Sequence, residues 1–337
     1  MNPIESVDLR HSLITAASCW LAAVFVFWLH CDNPWWAVIS AWVVSSSDFH
    51  ASSLKAIMRI AGTLAGYLVG LTCASLTEGN PAGQAVALFL IGAIGMSMRY
   101  RSQFSYAWVI GSATAFILLV LDITNPSSAY KTGLFRLYEV ISGVIAAGLC
   151  QRLLAPLLGL APVKIDSISV TQPIAAEPEA GLGTMAMIGG LAPVVITVIW
   201  SWLNLPSLVQ AIVTAFVTID RKATAAQSRV TQRILGCLLG GAVGLLTAAF
   251  AFSWWVWSFV LFGGIFAFSR LHLSKGPSSY IGMQGGVAFI LAMVTGNHPP
   301  DTIVPVIGRV AGISCGVLVV ATIGLMLRLQ QEKSLAG

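Results

Sequence analysis

Arg59-Ile60-Ala61-Gly62-x-x-x-Gly66-x-x-x-Gly70 and Arg233-Ile234-Leu235-Gly236-x-x-x-Gly240-x-x-x-Gly244 are two copies of one pattern, displaced by 174 residues. In each copy a guanidinium stands three residues before a glycine ladder, on the same helix face. Glycine at every fourth position leaves bare backbone on that face, so a second helix can approach closely in lipid. Two such helices place two cations in related positions, and fixed cations are what a carboxylate requires when it gives up water. Arg136 and Arg309 form a second pair at a shift of 173, and Arg309-Val-Ala-Gly312-x-x-x-Gly316 repeats the spacing. The alternative for the helix-starting arginines is that each snorkels to the headgroups.

Glu139 stands where Gly312 stands in the second copy, three residues after Arg136 and on its helix face. That spacing allows either a structural ion pair or a carboxyl that exchanges protons during a transport cycle. Asp48 and Asp220 are expected to end the second and eighth helices, where an anion opposes the helix dipole. Salt-bridging within the adjoining loops, or a gate or proton step, would account for them. Gln284, four residues after Tyr280, and Gln84 and Gln210 either face a pore or hydrogen-bond between helices. Tyr106 is the counterpart of Tyr280 at the 174-residue shift. Trp20, Trp42 and Trp108 fall deep in their spans, where they pack in the core or stack on an aromatic ligand. Trp35, Trp36, Trp200, Trp202, Trp254, Trp255 and Trp257 are expected in interface belts.

The elements that must position these groups follow from composition. Of 337 residues, 57% are hydrophobic and only 9% charged, with a mean hydropathy of +0.84. A soluble domain carries roughly 25% charge, so the solvent here is the bilayer. At ~20 residues per span the apolar runs resolve into about twelve helices. They are expected near 12–31, 34–47, 54–76, 81–98, 104–122, 134–158, 183–203, 206–219, 229–252, 254–269, 279–295 and 302–328. With a cytoplasmic N-terminus, fifteen of the eighteen Lys and Arg fall on the inner side; Lys131, Arg136 and Arg309 do not. The positive-inside rule thus supports the helix count and cytoplasmic termini. No nucleic-acid partner is expected from a net charge of +5 distributed in this way.

The fold class is therefore all-α and polytopic, as two parallel six-helix repeats related by a pseudo-twofold axis along the membrane normal. The repeats are expected over 1–159 and 183–337, joined by a cytoplasmic linker at 160–182 that contains Pro162, Pro173 and Pro178. The second and eighth helices are short and open on Asn33-Pro34-Trp35-Trp36 and Leu205-Pro206-Ser207. Matched short, proline-bounded spans anchor at an interface and are also a pointer to a transporter site. The six scattered cysteines read as packing residues, and no cleavable signal peptide is evident. The five histidines have no metal spacing, and no nucleotide, P-loop or nucleophile motif occurs, so neither a cofactor, a metal nor an enzymatic activity is expected.

Arg10-His11-Ser12-Leu13, Asn33-Pro34-Trp35-Trp36-Ala37, the Ser-Ser-Ser-Asp48 exit and Arg59-Ile60-x-Gly62-x-x-x-Gly66 together resemble the fusaric acid resistance, or aromatic acid exporter, family. That family is distantly similar to plant aluminium-activated malate channels. The resemblance implies six-helix units paired around a central path in the bacterial inner membrane. It also implies proton-coupled export of weak organic acids, often aromatic carboxylates. By position, the family's helix-starting arginines map to Arg59 and Arg233, and the helix-6 arginines of the channel relatives to Arg136 and Arg309. The large cytoplasmic domain of many members has no counterpart in the short linker. The expected partners are a small organic anion, the bilayer and a periplasmic adaptor, with the chain a monomeric pseudo-dimer or a homodimer. A passive anion channel and a scaffold subunit of an envelope assembly are the rival functions.

Overall fold

The computed structural model describes residues 9–46, 48–160, 181–203, 208–219, 223–248, 250, 253–274, 276–294 and 304–336. Among these there are twelve helices and no strand. They are α1 (Leu9–Trp28), α2 (Trp35–Val44), α3 (Phe49–Thr77), α4 (Pro81–Arg101), α5 (Ser105–Thr124) and α6 (Pro126–Leu157), followed by α7 (Leu182–Leu203), α8 (Leu208–Thr218), α9 (Ala223–Ala248), α10 (Trp254–His272), α11 (Ser279–Met293) and α12 (Val304–Ala336). The expected 160–182 linker lies almost wholly outside the described residues.

Eight of the helices are long and apolar enough to cross a membrane, so this is a multi-pass membrane protein. The expected short pair is present, since α2 has 10 residues and α8 has 11. At ~1.5 Å per residue each rises only about half of a ~30 Å hydrocarbon layer. Pro34 starts α2, and Ser45, whose extended backbone (ψ 129°) cannot continue a helix, ends it. The outer faces are apolar, with Leu64, Leu68 and Leu76 on α3 and Leu235, Leu238 and Leu246 on α9 exposed, as lipid contact requires.

Two compact units divide the chain, and each draws helices from both sides of the linker. One comprises Met1–Ile60, Leu134–Ile168 and Thr231–Ile307; the other comprises Ala61–Gly133, Ser169–Val230 and Gly308–Gly337. The division falls within α3, α6, α9 and α12, and Arg59, Arg136, Arg233 and Arg309 each lie within three residues of it. In the first unit α1 packs on α2 and α10, α10 on α11, and α11 on α2. Its core contains Val26, Trp42, Trp257, Leu261 and Phe289. The indole N–H groups of Trp42 and Trp257, both fully buried, donate to the carbonyls of Met283 (3.1 Å) and Met293 (2.8 Å). Trp257 is therefore a core residue rather than the belt residue its place near a helix start suggested. In the second unit α4 packs on α5 and α7, while α8 lies against α5 and α7. Arg99 donates to the Phe216 and Val217 carbonyls in the last turn of α8, and Tyr100 to the Ile219 carbonyl just beyond it, which satisfies part of the otherwise orphaned helix end.

The glycine ladders make the close approaches their spacing implies. In the second unit a Cβ on Gly62, Gly66 or Gly70 would meet Ala107, Gly111 or Ala115 of α5. In the first unit Gly236, Gly240 and Gly244 meet Ile281, Gly285 and Phe289 of α11. Every pairing in one ladder is displaced by 174 residues in the other, which supports a duplication. At Gly240 a Cβ would run into the backbone carbonyl of Gly285, whereas at Gly263 on α10 it would meet nothing within 4 Å. Gly240→Leu is therefore expected to lower the unfolding temperature in detergent, at a cost on the order of 1–3 kcal/mol. Gly263→Ala should leave that temperature unchanged or raise it.

Candidate functional site: a buried arginine–carboxylate cluster

The first unit buries more charge than an apolar solvent tolerates without a reason. Arg136 and Glu139 of α6 are 5% and 0% exposed, and Arg59 of α3 is 4% exposed. The face of α6 carrying Arg136 and Glu139 continues to Gly143, where a side chain would collide with the carbonyl of Ala37 on α2. Glycine there lets α6 lie directly on α2 and delivers both charged groups to the first turn of that helix.

Two polar chains then form. Glu139 accepts a 2.8 Å hydrogen bond through Oε1 from the backbone N–H of Asn33, just ahead of α2. Arg136 is placed with its guanidinium carbon 3.7 Å from the centre of the Trp36 ring, a cation–π contact strengthened by desolvation. Arg59 donates from Nε to the Ser40 hydroxyl (3.0 Å), and that hydroxyl donates in turn to the Trp36 carbonyl (2.6 Å). Arg59 and Arg136 thus both reach α2, one at Ser40 and the other at Trp36, a single turn apart. Nε and Nη1 of Arg136 and Oε2 of Glu139 are buried without a hydrogen-bond partner among the described residues. Of the two readings of the Arg136–Glu139 spacing, the geometry departs from a simple ion pair, with one side chain turned to Trp36 and the other to Asn33. A place that holds two guanidinium groups and one carboxylate, with unused donors, is electrostatically suited to a further anion.

The remaining expected residues are dispersed. Arg233, 5% exposed, reaches the Tyr280 hydroxyl at 3.5 Å, and Gln284 is 4% exposed one turn further along α11. These two, with Trp42, belong to the same unit as Arg59, Arg136 and Glu139. Arg59 and Arg233 thus lie inside protein, where a headgroup-seeking side chain would not be. Tyr106 and Trp108 lie on α5 in the other unit, Trp108 being 36% exposed. Arg309 lies on α12 but its side chain, like the whole of Asp220, falls outside the described residues. Asp48 is exposed and stands at the start of α3, its side chain accepting from the Ala51 N–H at 3.4 Å. Because α2 stops at Val44, this acid meets a helix N-terminus, where its charge is favourable, and not the C-terminus expected from sequence. Asn33, Trp36 and Ser40 were not among the expected site residues. Their signal was the proline-bounded short helix, read as an interface anchor for Trp36, and Ser40 has no local signature.

The chain is a multi-pass helical membrane protein that buries a cation-rich cluster at the head of a short helix. Residues 8–166 match the Fusaric acid resistance protein family, as the sequence resemblance implied. The chain is 28% identical over 149 residues to the "Uncharacterized transporter YdhK" of Escherichia coli (strain K12), across 43% of this chain and 22% of that protein. It is 24% identical over 164 residues to the "p-hydroxybenzoic acid efflux pump subunit AaeB" of Enterobacter cloacae, across 45% and 25%. The AaeB protein of Yersinia pestis is 27% identical over 148 residues, across 40% and 23%. The chain thus matches about a quarter of the length of these curated relatives. No solved structure matches it significantly.

Cys31, two residues before Asn33, senses the same electrostatics. Burial first, then the Glu139 and Asp32 carboxylates, push its thiol up to about 11. A thiol raised in this way stays protonated, and therefore unreactive, until pH approaches that value. Alkylation of the Cys31 peptide, followed by mass spectrometry against pH, should be slow at pH 8 and rise only in strong alkali. Glu139→Gln removes one opposing negative charge and should shift the rise to lower pH.

Proposed function

We infer that the protein exports small organic anions, aromatic or other hydrophobic carboxylic acids, across the bacterial inner membrane at the expense of the proton gradient. The observation that carries this reading is the Arg136 guanidinium, buried at the head of α2 with two donors unused. An unsatisfied buried cation is costly, and a substrate carboxylate would relieve that cost while losing its own hydration. The family match and the relatives named as transporters support transport over catalysis. One of those names specifies efflux of p-hydroxybenzoic acid.

In this reading Arg59, Arg136, Arg233 and Arg309 neutralise the anion along its route. Gln284, Tyr106 and Tyr280 offer hydrogen bonds, and Trp42 and Trp108 apolar ring contact. Glu139 exchanges the coupled proton, with Asp48 and Asp220 in lesser roles near the inner face. The termini are cytoplasmic, the two halves form parallel repeats, and a pseudo-dimeric monomer or a homodimer works with a periplasmic adaptor.

Inside-out vesicles carrying the full chain should accumulate radiolabelled p-hydroxybenzoate or benzoate when a pH gradient is imposed. Arg136→Gln and Arg59→Gln should each reduce the initial rate about tenfold or more, equivalent to ~1.4 kcal/mol or more of lost stabilisation. Accumulation that ignores the pH gradient but follows voltage would favour the passive channel instead.

A further inference from the structure

We propose that Trp36 is a positioning residue that sets substrate choice: by fixing the plane of the Arg136 guanidinium it selects aromatic acids whose carboxylate lies flat with the ring. This rests on the anion-transport reading above and narrows its substrate class.

The guanidinium carbon of Arg136 lies 3.7 Å from the centre of the Trp36 ring, the contact distance of two stacked π systems. Each guanidinium nitrogen is ~1.3 Å from that carbon. Turned edge-on, the group would bring a nitrogen to about 2.4 Å from the ring, well inside van der Waals contact, so only the face-on orientation fits. One face of the guanidinium is thereby closed, and its N–H groups point along the plane of the indole. Nε and Nη1, two of these in-plane donors, are buried without a partner among the described residues. Trp36 is itself held in place. Its carbonyl accepts from the Ser40 hydroxyl at 2.6 Å, and a Cβ on Gly143 of α6 would collide with the carbonyl of Ala37, the next residue. The backbones of α6 and α2 therefore touch two turns along α6 from Arg136, which keeps the gap between the helices thin at the guanidinium.

A carboxylate that accepts from adjacent guanidinium N–H groups does so in their common plane, because both partners are flat. A ring conjugated with that carboxylate continues the same plane and enters the gap parallel to the Trp36 indole. Bulk at both ortho positions twists the carboxylate out of the ring plane. The ring of such an acid must stand across the gap and meet the indole. The recognised class is therefore aryl carboxylates without ortho bulk. A lysine at position 136 would attract the same anions but impose no plane, since an ammonium acts as a point charge.

The isomers 3,5-dimethylbenzoate and 2,6-dimethylbenzoate test this, because they share charge and formula and differ in the angle between carboxylate and ring. In calorimetric titration of the purified full chain at pH 7, the 3,5-isomer should bind about tenfold tighter or more. Trp36→Phe keeps a ring against the guanidinium and should keep the preference, with both isomers weakened by a similar factor. Trp36→Leu should bring the two affinities to within about twofold of each other, and Arg136→Lys should do the same by a separate route. A merely structural Trp36 would weaken both isomers alike and leave their ratio at the wild-type value. Equal wild-type affinities would overturn the positioning role and leave the anion reading intact. So would a wild-type ratio retained in Trp36→Leu or, should that variant fail to fold, in Arg136→Lys. Absence of binding of both isomers and of benzoate to the wild-type protein would overturn both readings.

Discussion

Charge in a low-dielectric interior must be matched, and the contact between α6 and α2 is where this protein meets that constraint. Because Gly143 removes the side chain that would separate the helices, Arg136 and Glu139 arrive together at Trp36 and Asn33. The proline ahead of α2 has no N–H to offer, and the Asn33 amide just before it donates to Glu139. Ser40, one turn on from Trp36, then ties Arg59 into the same helix. Each group is placed by backbone packing first and by its own hydrogen bonds second, which is why buried donors can remain unused without the cluster coming apart.

The same principle of close backbone approach operates elsewhere in the chain without any charge. The ladders on α3 and α9 press carbonyl-close against α5 and α11, because in lipid there is no hydrophobic driving force between helices and packing must replace it. The two compact units each take helices from both sides of the 160–182 segment. Neither side of the sequence therefore supplies a whole unit. Each glycine ladder instead packs inside its own side of the sequence, α3 on α5 and α9 on α11, and the same spacing serves the same close contact in both copies.

Much of this is legible in the sequence. Low charge and long apolar runs dictated an all-helical membrane fold, and the number of helices followed from length alone. The short second and eighth helices were visible as apolar runs bounded by proline, and the buried arginines as charges within such runs. Less visible were the ends of helices. The apolar run leads straight to Asp48 and implies that this acid closes α2, yet the helix ends at Val44 with Ser45 extended, and the acid falls to α3. Trp257 sits one turn into α10, where interface tryptophans are common, but its indole N–H reaches the Met293 carbonyl and takes it into the core. Spacing along one helix cannot show which neighbour lies opposite.

The sequence by itself determined solvent, class and candidates: the bilayer, a polytopic helical chain in which one Arg–Gly spacing occurs twice, and a handful of ionisable groups that hydrocarbon does not admit without a partner. Those properties depend on composition and local period, which are additive along the chain. Only the tertiary structure decided that Glu139 answers to the Asn33 amide and Arg136 to the Trp36 ring, 106 and 100 residues away in sequence. It also decided that each compact unit mixes helices from both halves. Such pairings arise from which helix faces can approach without side-chain obstruction. That is a property of shapes meeting in three dimensions, and no pattern within either segment encodes it alone.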